Sequence, residues 1–326
     1  MRPSNHHMIS NVTGFFLAPA SARPLAALRI GLALTLLAQA YFLRLEILEL
    51  FSSTGYLQGA LTHSFHIPGT PTTSMFAAWM SRLSLSEDLT ILLLGGAYVL
   101  SLVFMGLGLY TRASSVVAWF LHWTLMNSND STNYGADLFA QVFLFYLMLS
   151  PAGGAWSLDV YLGRTSPAPT SAARLSLRIM QFHLCIMYLA SGIEKASGLQ
   201  WWNGQLLWRA LSMPIYKQYE MSWLIDYPFL TQLGGWSTLL FELGYIIFIW
   251  PRRTRRFWIL AMISLHLGIV VFMGLGIFGV LMAMLTPALF GVSPEKGVLA
   301  ARECAATTSN LQRGLAASPL VSSSAT

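Results

Sequence analysis

Residues 24–43 read PLAALRIGLALTLLAQAYFL, and the interpretation of this stretch decides the fold. At about 1.5 Å per helical residue it is long enough to cross a hydrocarbon core roughly 30 Å thick. Ala38-Gln39-Ala40 imitates the cleavage site of a secretory leader. A leader, however, is cut within about 15–30 residues and has an uninterrupted apolar centre. Here Arg29 interrupts the segment and the apolar run is longer. The stretch is therefore predicted to be a retained first membrane span.

Composition extends this conclusion to the whole chain. Of 326 residues, 55% are hydrophobic and 10% charged, well below the roughly 25% charged residues of soluble domains. The 11 Trp, 12 Tyr and 19 Phe suit apolar and interfacial positions. Lys and Arg number 19 against 13 Asp and Glu, a net charge of +6. No soluble basic domain carries that excess, which argues against a nucleic-acid partner and leaves membrane topology as its use. Cys185 and Cys304, with no Cys-x-x-Cys, provide neither a disulfide framework nor a thiol redox site.

Eight apolar segments follow from the pattern: Pro24–Leu43, Leu89–Tyr110, Ser114–Leu125, Gly135–Leu149, Leu175–Ile193, Thr231–Trp250, Phe257–Gly274 and Ile277–Phe290. The expected fold is an all-α, polytopic helical bundle of about eight transmembrane helices. The third, fourth and eighth segments are short, so their helices must extend into polar flanks. Gly274-Leu275-Gly276 is a natural break between the last two.

With eight spans, one side carries Arg2, Arg23, Arg112, Arg164, Arg174, Arg252, Arg253, Arg255, Arg256, Lys296, Arg302 and Arg313. The other carries Arg44, Arg82, Lys195, Arg209 and Lys217. Cytoplasmic loops hold the positive excess, so both termini are expected in the cytoplasm of a cell whose inner (plasma) membrane the chain crosses. Residues 1–22 form a cytoplasmic segment, 23–291 the membrane domain, and 292–326 an Ala- and Ser-rich tail predicted to be disordered. The loops around 44–88 and 194–230 face outward.

Ionisable groups within a bilayer cost at least ~2.5–3.5 kcal/mol at its centre and usually face the bundle interior. Counting rise along the sixth and seventh spans places Glu242 and His266 each roughly 12–14 Å from the cytoplasmic end. Arg29 enters from the same side, so a buried cluster of Arg29, Glu242 and His266 is expected. It would either fix helix register through charge-assisted hydrogen bonds or relay protons.

At the outer end of the fifth span, Gln181, Tyr188 and Lys195 follow each other at seven-residue spacing, with Ser191 one turn before the lysine. They form one polar stripe. Beside Trp201 and Trp202, Lys195 either snorkels to headgroups or, partly desolvated, acts as a base. On the same side, residues 126–137 read MNSNDSTNYGAD, either a polar turn or a source of substrate contacts from Asn133, Tyr134 and Asp137. His63-x-x-His66 lacks a third ligand at diagnostic spacing, so no metal site is expected.

Several of these motifs occur in a familiar order: Arg29-Ile30-Gly31, Asn133-Tyr134-Gly135-Ala136-Asp137, Tyr188-x-x-Ser191-Gly192-x-x-Lys195 followed by Trp202-Asn203-Gly204, and Glu242 with Arg252-Arg253, Arg256 and His266. This order resembles the horizontally transferred transmembrane (HTTM) domain, the membrane half of vitamin K-dependent γ-carboxylases, over about residues 23–290. It is most similar to the short bacterial members, including the sporulation-delaying protein B type.

The resemblance implies a reduced, vitamin K-like quinone as redox cosubstrate and Lys195 as the amine that deprotonates it. Asn133, Tyr134, Asp137, Tyr188 and Ser191 would contact substrate, and Trp201 and Trp202 would cover an apolar ring at an external-facing cavity. The lipid bilayer is one partner, and a secreted peptide or a protein supplying a soluble domain is another. The alternative is a non-catalytic membrane subunit in the maturation or export of a secreted peptide.

Overall fold

The computed structural model describes residues 12–55, 69–129 and 133–295. These residues are helical, with no strand among them beyond one isolated antiparallel bridge between Ala20 and Thr170. Eight principal helices follow in order: α1 (Arg23–Leu43), α2 (Glu87–Leu107), α3 (Thr111–Ser128), α4 (Gly135–Leu149), α5 (Ser171–Ser197), α6 (Pro228–Phe248), α7 (Arg252–Met273) and α8 (Gly276–Thr286). A π-helical turn over Pro287–Gly291 continues α8.

Each helix falls on one of the apolar segments, and local chemistry sets its ends. Pro24 and Pro228 stand in the first turns of α1 and α6, where the missing N–H is no loss. Ser86 and Thr170 cap α2 and α5 by accepting from the Leu89 and Ala173 amides. α3 extends beyond the apolar run at both ends, to Thr111 and Ser128. The break between α7 and α8 lies at Gly274, which takes φ 70°, a left-handed cap conformation that favours glycine. α5 is longer than its apolar run, so Lys195 lies in its last turn.

α1, α2 and α7 are long and apolar enough to cross a membrane, and α4 and the segment Gly276–Gly291 are shorter apolar helices. Their outward faces carry large apolar side chains such as Leu34, Leu93, Leu100, Leu138, Ile247 and Leu260. An apolar exterior around an apolar core is the pattern of a lipid-embedded bundle.

One end of the bundle, here the basic end, is tied together by many backbone contacts. Ala20 and Thr170 exchange two hydrogen bonds of 3.0 Å, and Ser21 N–H donates to Pro294 O at 2.9 Å. Arg174 Nε reaches Ala18 O, and the Arg178 guanidinium lies 3.9 Å from the Phe15 ring centre. At the opposite end Asn129 Nδ2 donates to Leu50 O, and Thr73 N–H donates to Ser128 Oγ.

Two charged groups organise the basic end. Arg29 is fully buried, and it does not join Glu242 and His266 as expected. Its Nη1 donates to Ala152 O at 2.6 Å and Ala155 O at 3.4 Å, and its Nη2 donates to Trp156 O at 2.5 Å. The side chain leaves α1 toward the loop after α4, so backbone carbonyls rather than a carboxylate meet its two terminal nitrogens, while its buried Nε has no hydrogen-bond partner among the described residues. Asp159, also buried, accepts from the Tyr110 amide at 2.9 Å and from the Thr111 amide and hydroxyl at 2.8 and 2.7 Å. Burial pushes the Asp159 carboxyl up, but those donors and the nearby Arg164 charge outweigh it and hold it below the ordinary carboxylate value.

Two outcomes follow. Arg29→Lys keeps the charge but cannot span three carbonyls, so thermal unfolding of the detergent-solubilised protein should show a loss of about 1–3 kcal/mol, the cost of orphaned buried acceptors. The Asp159 contribution is fully present above its unfolded pKa and is lost as pH falls through the lower folded value. Acid-titration unfolding should therefore show a decline below about pH 4 that is missing in Asp159→Asn.

Candidate functional site

The polar stripe on α5 is assembled by the close packing of α5 on α6. Gly192 makes this possible: a Cβ there would lie 2.9 Å from the Leu243 side chain and 3.1 Å from its amide nitrogen. Without that side chain, α6 approaches until Glu242 comes level with the last turn of α5. Lys195 Nζ then lies 2.9 Å from Glu242 Oε2 and also donates to Ser191 Oγ. The Glu242 side chain is 7% exposed and that of Lys195 23%, so the carboxylate is inside while the amine keeps an opening to its surroundings. The Trp201 ring centre is 5.5 Å from the amine, within the range of a cation–π contact.

Glu242 and His266 do not form the expected pair. Each partners α5 instead: Glu242 takes Lys195, and His266 Nε2 takes the Tyr188 hydroxyl at 2.9 Å. Counting rise along separate helices assumes a common starting level, whereas the Gly192–Leu243 contact sets the actual register. The Tyr188 ring lies 4.5 Å from that of Tyr245, whose hydroxyl meets Thr286 Oγ1 at 3.1 Å. Gln181 leaves the site and donates to Leu289 O in the π-helical turn.

The two tryptophans have different roles. The short helix Leu199–Trp202 lies on α6 at Gly235, where the Trp201 carbonyl occupies the space that a Cβ would need. Trp201 therefore stays beside the amine. Trp202 points outward at 46% exposure, its Nε1 bonded to Ala196 O and its carbonyl accepting from Trp236 Nε1.

Asn133, Tyr134 and Asp137 form a separate group. Asn133 Nδ2 donates to Met126 O at 2.5 Å. Asp137 accepts from Gln39 Nε2 at 2.7 Å and from the Tyr134 amide at 3.2 Å, and its carbonyl lies 3.2 Å from His122 Nε2. His122 Nδ1 meets the Tyr98 hydroxyl at 2.9 Å. No hydrogen bond or ion pair joins this group to Lys195 among the described residues. Phe278 touches both neighbourhoods, its ring 6.1 Å from that of His266 and beside Gly135.

Gln39 and Tyr98 are the functional candidates that the sequence did not disclose. An isolated amide or phenol within an apolar run has no partner visible in one dimension. Their signal was that each interrupts an otherwise apolar helix. His63 and His66 lie outside the described residues, as does the tail from residue 296, and Cys185 is a buried free thiol.

Residues 17–293 match the HTTM domain family. The chain belongs to that family. No curated protein and no solved structure matches it. The HTTM match covers all eight principal helices and both polar groups, so the Lys195–Glu242 pair and the Asp137 group are parts of one family domain.

A double-mutant cycle checks the pair. Removing only the lysine strands a buried carboxylate, so Lys195→Met should destabilise the protein more than Lys195→Met combined with Glu242→Gln. A coupling energy of about 1–3 kcal/mol in thermal unfolding is expected, and strictly additive effects would show that the pair is not formed.

Proposed function

We propose that this HTTM protein is a multi-pass membrane enzyme in which Lys195 takes a proton from the hydroxyl of a lipid-borne aromatic alcohol, a reduced quinone. The observation carrying the proposal is the semi-exposed amine, held between a buried carboxylate and a serine hydroxyl with an indole ring beside it. An amine, a carboxylate and a flat aromatic neighbour fit a ring bearing an acidic hydroxyl. Trp201 would lie against such a ring and Ser191 would orient the amine. In the resting pair the ammonium faces the Glu242 carboxylate, so Lys195 would become a base by passing its proton to Glu242, and the proton taken from the ring hydroxyl would restore the ammonium beside the neutral acid and leave the quinol anion. When bound, a reduced quinone supplies two-electron reducing chemistry of a vitamin K-like kind.

In this proposal all eight helices cross the membrane and both ends of the chain lie in the cytoplasm. Residues 15–21 and 291–294 gather at the same end as Arg23, Arg112, Arg164, Arg174 and the Arg252–Arg256 turn, which supports that orientation through the positive-inside rule. Lys195 then opens on the external side of the plasma membrane, where a secreted peptide or a partner's soluble domain would meet it.

One observation favours the second reading, a non-catalytic subunit for maturing or exporting a secreted peptide. The segment after α5 exposes Leu199, Ile215, Tyr219, Trp223 and Ile225, an apolar surface suited to a partner chain. The two readings separate on Lys195→Arg, which keeps a cation opposite Glu242 but holds its proton permanently. In nanodiscs under air, with dioxygen as the electron acceptor, the variant should fold normally and consume added reduced quinone about 10²–10⁴-fold more slowly than the parent. Mass spectrometry of the co-purified lipids should find a quinone. Unchanged turnover in Lys195→Arg, or no quinone in repeated preparations, would leave the subunit reading in its place.

A further inference from the structure

The basic end holds a second site, unconnected to Lys195. A cleft of about 540 Å³ opens between the starts of α3 and α5 and the end of α4, lined by Tyr110, Arg112, Leu149, Asp159, Arg164 and Ala172 among others. Its walls divide by chemistry. Leu149 and Ala172 belong to helices whose flanks face lipid, and Leu149 is 58% exposed. Arg112 and Arg164 are exposed, and neither forms an ion pair among the described residues.

The cleft is a built feature. Asp159 O accepts the Arg164 and Thr165 amides at 2.8 and 3.1 Å, and the Asp159 amide donates to Gly108 O at 2.9 Å. The Arg164 guanidinium then stacks 4.3 Å from the Tyr110 ring centre. Asp159 is the one carboxylate in the lining, and its two oxygens are already occupied by the Tyr110 and Thr111 donors. Behind this wall stands the Arg29 guanidinium, bonded only to carbonyls among the described residues. On either side of Asp159 in the chain, Trp156, Leu158, Tyr161 and Leu162 are exposed and apolar or aromatic, a composition typical of the headgroup interface.

We propose that this cleft binds an anionic phospholipid, its phosphate between Arg112 and Arg164 and its upper acyl chain along Leu149 and Ala172. Leu149 ends α4 and Ala172 stands in the first turn of α5, so an apolar wall meets the two cations in one cleft, and this pairing of chemistries suits a lipid rather than a free anion. Cationic pockets of this kind between membrane helices recognise anionic headgroups. The inference rests on the membrane placement given above but not on any role for Lys195.

The test uses the full chain in detergent micelles, titrated with phosphatidylglycerol and followed by thermal shift and native mass spectrometry. Saturable stabilisation is expected, with apparent affinity falling about fivefold for each charge removed in Arg112→Gln and Arg164→Gln. Arg112→Lys with Arg164→Lys should retain binding, and Arg82→Gln with Arg209→Gln, at the other end, should change nothing. Lipid-free unfolding midpoints equal to the parent's will show that the variants are folded. Equal affinity in the glutamine variants, equal stabilisation by phosphatidylcholine, or full stabilisation by inorganic phosphate alone would each overturn the proposal. Accessibility labelling of single cysteines at the two ends reports the membrane placement separately, so its failure is not confused with failure of the lipid site.

Discussion

Inside an apolar bundle, a polar side chain that turns away from lipid must find its partner on another part of the protein, because no water is there to replace it. That constraint fixes how the helices of this chain meet. Tyr98 on α2 joins His122 on α3, Tyr146 on α4 joins His183 on α5, and Tyr188 on α5 joins His266 on α7. Gln39 links α1 to Asp137 on α4, and Lys195 links α5 to Glu242 on α6. Such contacts are each worth only about 0.6–1.7 kcal/mol in membranes. Their effect is on register: sliding one helix by a turn would leave several polar groups unpaired at once.

The two cations most deeply involved solve the same problem differently, and their chemistry explains why. Arg29 has a planar fork of donors and spreads its charge over three carbonyls of a loop that it holds in place. Lys195 is a compact point charge on a flexible stem, and it finds one carboxylate, one hydroxyl and an aromatic face. A guanidinium holds its protons, whereas an amine beside a carboxylate can exchange one, which is why the proposed reaction is placed at the second arrangement.

The helices and their approximate limits were legible in the sequence because hydrophobic length is written residue by residue. The same holds for the break at Gly274 and for the polar stripe of Tyr188, Ser191 and Lys195, which depends only on helical spacing. Contacts between helices were less legible. Depth counted along α6 and α7 placed Glu242 beside His266, yet the real level of Glu242 is set by the absence of a side chain at Gly192, and that glycine gives no sign of which helix it admits. Arg29 was read as joining Glu242 and His266 because it enters from the same side of the bundle. A loop with carbonyls turned inward serves equally well, and nothing in residues 152–156 announces it.

His266 shows how far the polar network runs. Its Nε2 is committed to Tyr188, while its Nδ1 is buried with no hydrogen-bond partner among the described residues. Glu242 is likewise turned to Lys195 rather than to the imidazole. His266 is bonded instead to Tyr188, seven residues before the lysine on α5. In the proposed reaction the opening at Lys195, the one member of the ion pair with appreciable exposure, would be the route by which a proton taken there also leaves.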